Sequence, residues 1–143
     1  MARVTCKPSV RFKGFTRGLV RILVAVQRVA ERTRNMAEVV ITSANDGKHS
    51  QRPRSRHYTN EALDLRSRNF RTPAGRDRFL ARLREELGSR FYVAYEGHGK
   101  PSAHIHVQPR RGTVWRGGLC GGRREPTARL GGFGSTGASS FLP

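Results

Sequence analysis

Apolar residues between positions 19 and 30 (LVRILVAVQRVA) recur at three- and four-residue steps, through Leu19, Ile22, Leu23, Val26, Val29 and Ala30. Arg21, Arg28, Glu31 and Arg32 fall mainly elsewhere, so the spacing predicts an amphipathic helix that starts near Thr16 and packs a core. Residues 38–42 (EVVIT) form a short β-branched run, and the Ser-Ala-Asn-Asp-Gly that follows ends it as a strand leading into a loop. That loop, residues 43–56, is polar, with Arg52, Pro53 and Arg54, and is expected to be exposed. Residues 62–66 (ALDLR) are short enough for a buried strand. Thr72 and Pro73 then supply a cap and a first-turn proline for a second helix running to Leu87 and stopped by Gly88, with Phe79, Leu80, Leu83 and Leu87 as its apolar stripe. Residues 91–95 (FYVAY) and 104–108 (HIHVQ) are the last strand candidates, separated by a loop containing glycine and proline.

The order helix, strand, strand, helix, strand, strand predicts an α+β fold with a small, mostly antiparallel sheet and two packing helices. Beyond Gln108 the periodicity stops and glycine and arginine dominate (RRG, WRGG, GGRRE, LGGFGSTGASS). Such a segment buries too little apolar surface to offset its ordering entropy. The expected organisation is therefore one domain over residues 1–108 and a disordered tail over residues 109–143, without a repeat regular enough for a solenoid.

The 143-residue length and 36% apolar content suit one modest core. Charge alters the picture more: 28 Lys and Arg against 10 Asp and Glu give a formal +18, a field that favours polyanions such as nucleic acid, teichoic acid or an anionic membrane surface. Cys6 and Cys120 lie far apart and outside any metal-ligand spacing, which argues against a disulfide framework or a cysteine zinc knuckle. The first residues (MARVTCKPSVRFKGF) carry no apolar run before a small-residue cleavage site, so no secretory signal is read there and synthesis in the cytoplasm is expected, with release to a cell wall by other means. The most apolar stretch is broken by arginines and falls short of the roughly 20 residues that a bilayer requires.

Three of the five histidines enter one pattern: His57, then Asp64 seven positions on, then His104-Ile105-His106. Residues two apart on a strand share a face, so His104 and His106 converge. His57 stands just before a strand and Asp64 on it, so neighbouring strands can bring imidazoles and a carboxylate to one metal. Two histidines, a carboxylate and an open position form a catalytic rather than a structural zinc arrangement. The plainer reading of the same residues is a half-exposed histidine pair and an Asp64–Arg66 ion pair.

The segment Ser55-Arg-His57-Tyr-Thr-Asn60-Glu-Ala62-Leu-Asp64 resembles the Ser-x-His-x-x-Gly-x-Ala-x-Asp motif of zinc D-alanyl-D-alanine carboxypeptidases, D,D-dipeptidases and hedgehog-type phage endolysins, and His104-x-His106 resembles their closing motif. The resemblance covers roughly residues 7–108. It implies zinc held by His57, Asp64 and His106, with His104 beside the metal to orient or stabilise the reacting carbonyl. It also implies a peptidase acting on peptidoglycan stem peptides, of the D,D-carboxypeptidase or L-alanyl-D-glutamate endopeptidase type, and a monomer is expected. Lys48, in the loop after the first strand, is where such proteins often hold a substrate carboxylate.

Two positions depart from the pattern. Asn60 replaces glycine, a mild change because Asn tolerates left-handed backbone. Ala103 stands where the family has its acidic general base, and a positioned acid or base contributes about 10²- to 10⁴-fold. Glu96 is the acidic residue nearest in sequence to replace it, against the plainer reading of a solvated strand-end carboxylate paired with arginine; His98 and His104 are alternative bases. Three functions follow as expectations: a zinc peptidase of the cell wall, a catalytically weakened zinc module that binds wall fragments, and a non-specific nucleic-acid binder resting on charge and the Arg-Gly tail. The third lacks a helix-turn-helix, a paired-cysteine finger or an RNA-recognition aromatic motif.

Overall fold

The computed structural model describes residues 3–33, 38–46 and 55–115. Within them the chain runs β1 (Arg3–Cys6), α1 (Arg17–Arg32), β2 (Glu38–Ser43), β3 (Leu63–Arg66), α2 (Pro73–Leu87), β4 (Phe91–Glu96) and β5 (His104–Pro109). The strands form one five-stranded sheet in the order β1-β2-β3-β5-β4. β1 pairs in parallel with β2, and every other pairing is antiparallel. The fold is thus α+β with a mostly antiparallel sheet and two helices.

The strand β1 is the element that periodicity did not predict. Its two end residues are exposed and its two central ones half-buried, with no apolar alternation of their own. It exists by pairing with β2, and α1 is the crossover that a parallel neighbour requires. Cys6, at the end of this edge strand, is an exposed free thiol, while Cys120 lies outside the described residues.

Both helices begin as their sequences dictate. Thr16 caps α1 by accepting a hydrogen bond from the Leu19 amide at 3.2 Å, and Thr72 caps α2 by accepting from Gly75 at 3.0 Å, with Pro73 in the first turn. Gly88 ends α2 at φ 71°, a left-handed conformation that suits glycine. The inward face of α1 buries Leu19, Ile22, Val26 and Val29, and α2 buries Phe79, Leu80 and Leu83. These side chains share one core with Val39, Ile41, Leu63, Leu65, Val93, Ile105 and Val107 of the sheet. Strand alternation then puts the intervening residues on the face away from the helices. Phe79 is fully buried and its ring lies 5.1 Å from that of Phe70. Phe79→Ala is expected to destabilise the fold by about 3–5 kcal/mol, seen as a lowered urea midpoint; a shift of less than about 1 kcal/mol would mean that the core does not depend on this ring.

Two segments are more tightly packed than the sequence suggests. Of the loop expected to be exposed, Ala44 and Asn45 are buried, because the Asn45 side-chain oxygen accepts a hydrogen bond from the Lys13 amide at 2.8 Å and fastens the end of β2 to the segment before α1. At the other end, packing does not stop at residue 108. Pro109 completes β5, and Trp115 sets its ring 5.6 Å from Phe91 and under the guanidinium of Arg21 at 5.2 Å. Gly18 permits this closure, since a Cβ there would come within 2.7 Å of the Pro109 ring. The rest of the segment expected to be disordered, residues 116–143, lies outside the described residues, as do Lys48 and His49. Among the described residues no helix is long and apolar enough to cross a membrane.

Candidate metal centre

The polar face of the sheet is organised by register. β3, β5 and β4 align Asp64 with His106 and Ala94 in one row, and Arg66 with His104 and Glu96 in the next. Directly opposed residues on antiparallel strands project to the same side, so Asp64, His106, His104 and Glu96 gather on the face that the helices leave uncovered. Ala94 is small and adds no bulk beside His106.

His57 arrives from outside the sheet. It sits in the turn that leads into β3, closed by the Glu61 amide donating to the Arg56 carbonyl at 3.0 Å and by an ion pair between the Arg56 and Glu61 side chains. Asn60, three positions on, has φ 57°. This is the left-handed backbone for which the motif uses glycine, so the sequence departure at Asn60 leaves the turn intact. On the other side a bulge matters. β2 advances from Ile41 to Ser43 while β3 moves only from Leu65 to Asp64, and the extra residue turns the chain so that the Ala44 carbonyl meets Nδ1 of His57.

These elements converge on a single atom, Oδ1 of Asp64. His106 Nδ1 lies 2.8 Å from it, His57 Nε2 3.3 Å and His104 Nε2 3.6 Å. The outer nitrogen of each ring faces an oxygen: His57 Nδ1 the Ala44 carbonyl, His106 Nε2 the Gln108 side-chain oxygen at 3.0 Å, and His104 Nδ1 the Ser102 carbonyl at 2.8 Å. Those oxygens only accept, so the outer nitrogens carry the protons, and in a neutral imidazole the inner nitrogen then presents a lone pair. Lone pairs of imidazole and carboxylate turned toward one another repel unless a cation lies among them. A proton or a metal ion satisfies the arrangement.

His57, Asp64 and His106 accordingly form a group able to hold a metal ion, their donor atoms all within 4.8 Å of one another. A second group, Glu96, His104 and His106, meets the same criterion. In the first, His57 is buried and both imidazoles are oriented by oxygen partners, the outer support that metal-binding histidines characteristically have. The residues therefore fit a divalent ion that accepts nitrogen and carboxylate donors.

Charge in the cluster follows from the same contacts. Burial by itself would raise the Asp64 carboxyl, but hydrogen bonds from His106 and His57 and the charges of His57 and His104 outweigh it and hold it well below the usual carboxylate range. For His106 burial works downward, yet its bonds to Asp64 and Gln108 and the charges of Asp64 and Glu96 raise it above the ordinary imidazole value. Without metal, therefore, the proton on His106 does the neutralising. That stabilisation is fully present below an imidazole's ordinary pKa and is lost as pH rises through the raised folded value. The metal-free protein is expected to lose melting temperature as pH rises above the ordinary imidazole value and through the raised one, while metal affinity rises over the same interval as the competing proton leaves. A melting temperature in chelator that stays level across that interval would show that His106 does not carry this proton.

The structure brings His57, Asp64, His104, His106 and Glu96 together, whereas Lys48 lies outside the described residues. Glu96 Oε2 lies 3.8 Å from His104 Nε2, so it faces an imidazole rather than an arginine, and Asp64 faces imidazoles rather than Arg66. His98 does not join them. Its ring stands edge-on to Tyr95 at 4.3 Å, on the side of β4 where Arg76 of α2 covers the tyrosine, which removes it as an alternative base. Gln108 and the Ala44 carbonyl are functional contacts that the sequence reading missed. Gln108 was legible in principle, being two residues from His106 on the same face; a backbone carbonyl gives no sequence signal. No protein-family model matches the chain, and no curated protein matches it.

Proposed function

We propose that the protein is a zinc metallopeptidase that hydrolyses peptide bonds in peptidoglycan stem peptides. The observation that carries this reading is the convergence of two oriented imidazoles and one carboxylate, the donor set of a hydrolytic rather than a structural zinc site. Their order and spacing in the chain, which resemble those of the D,D-carboxypeptidase and hedgehog-type enzymes, support the choice of substrate. His57, Asp64 and His106 would hold the ion. Zinc bound there supplies Lewis-acid activation of a peptide carbonyl and of the attacking water.

The chain's own residues supply the proton traffic. Ala103 has no acid to offer, and its carbonyl is taken by the Ser67 hydroxyl at 2.7 Å. Glu96 is the carboxylate on the same face beside His104, and it is 42% exposed at the side chain, so water reaches it. In this reading Glu96 Oε2 takes the proton from water and returns it to the leaving amine. His104, fixed at Nδ1 by the Ser102 carbonyl, turns Nε2 toward the cluster, where it would orient the reacting carbonyl. The net positive charge keeps the protein on an anionic wall.

The Ala103 departure favours one second reading, a zinc module that holds wall fragments without cutting them. Metal analysis of the purified chain, together with release of soluble D-amino-acid-containing products from peptidoglycan, separates the two. About one zinc per chain with chelator-sensitive release supports the peptidase. Zinc without release supports the binding module, and no zinc overturns both, leaving charge-driven nucleic-acid binding as the reading to test.

A further inference from the structure

A cavity of about 640 Å³ counts Asp64 and His104 in its wall, so it opens on the proposed metal centre. Among the described residues, five cationic side chains line it, Lys7, Arg66, Arg68, Arg76 and Lys100, and Asp64 is the one carboxylate. That carboxylate is already engaged by imidazoles. Arg76 is also engaged, lying 4.0 Å over the Tyr95 ring and 2.9 Å from Asp77. Lys7, Arg66, Arg68 and Lys100 form no ion pair among the described residues. The N-terminal end of α2, Thr72 and Pro73, is part of the same wall, and its first turn has no acidic residue to offset the partial positive charge there.

Like charges brought around one concavity repel one another, and low-dielectric walls concentrate their field; an anionic occupant relieves both. Guanidinium forks match carboxylates in geometry as well as charge. The two rings of the wall are occupied, Phe70 against Phe79 and Tyr95 under Arg76, so the cavity offers no ready platform for stacking a base. We infer that the cavity is an anion subsite, centred on Arg66 and Arg68, that holds the side-chain or terminal carboxylates of an acidic peptide while a neighbouring peptide bond lies at the metal centre. The site is distinct from the Lys48 loop, and the assignment of a substrate class rests on the peptidase reading.

The test uses the full chain loaded with zinc and two probes: a short peptide with two glutamates, and the same peptide with both replaced by glutamine. The acidic peptide is expected to bind about ten-fold more tightly at low salt. In the Arg66→Gln, Arg68→Gln double variant that preference is expected to vanish with zinc content unchanged. An Arg78→Gln, Arg110→Gln control loses the same charge from exposed positions outside the cavity and should keep the preference. Lys100→Gln, in an exposed turn, should weaken acidic-peptide binding about three-fold and serves if the double variant does not fold. Equal affinity for the two peptides, equal loss in the control, or displacement of the acidic peptide by a lower concentration of a single-stranded oligonucleotide overturns the subsite. Loss of zinc or of hydrolysis with the acidic preference intact would instead sink the peptidase reading alone.

Discussion

Asp64→Asn is expected to lower zinc affinity by more than about 10²-fold, so that the purified variant retains almost no metal. Removing a residue that merely orients a ligand already costs 10- to 100-fold, and Asp64 is more central than that. Its Oδ1 is the atom on which His106, His57 and His104 all converge. Asparagine keeps the size and the place on β3 but removes the negative charge that offsets a divalent ion in a largely buried setting. The fold should survive, since the helices pack on the opposite side of the sheet, and circular dichroism with a melting curve would verify this. Metal analysis and calorimetric titration decide the matter. Undiminished zinc in Asp64→Asn would assign the ion to the other cluster, Glu96, His104 and His106, and the proposed centre would be wrong.

Glu96→Gln separates holding the metal from using it. The variant is expected to keep about one zinc per chain while hydrolysis of wall peptides falls by about 10²- to 10⁴-fold, the usual contribution of a positioned acid or base. The expectation rests on register: Glu96 is directly opposite His104, and its Oε2 is 3.8 Å from Nε2 of that ring. Glu96→Asp, which keeps the carboxylate but shortens its reach, should recover part of the rate. Full activity in Glu96→Gln would remove this residue from the mechanism.

How far the sequence spoke for the structure can be judged residue by residue. The starts of α1 and α2 were legible to within a residue because both carry capping threonines, and α2 also has Pro73 and Gly88 as punctuation, whereas α1 runs to Arg32, past the apolar pattern that ended at Ala30. β1 was not, since RVTC has no alternation that distinguishes it from loop, and only its pairing partner defines it. Within the site, the strand spacing of His104 and His106 announced a shared face, and the resemblance to a zinc-peptidase motif pointed to His57 and Asp64. What it could not announce was the bulge at β2, which depends on how two distant strands meet and which sets the carbonyl that orients His57. The cationic cavity was hidden for a similar reason. In a chain so rich in arginine, Arg66 and Arg68 look like any others until the end of the sheet places them beside Lys7, Arg76 and Lys100.

Trp115, the chain's one tryptophan, is fastened between Phe91 and Arg21, with its carbonyl 3.3 Å from the Arg17 guanidinium. Its indole fluorescence therefore reports on a single seam, where the chain leaving β5 closes over α1 on the helix side of the sheet. The imidazoles lie on the opposite side, so an emission shift during unfolding and the release of metal are independent signals. In protein loaded with zinc, whichever comes first tells whether a bound ion leaves the sheet before the helical cover opens.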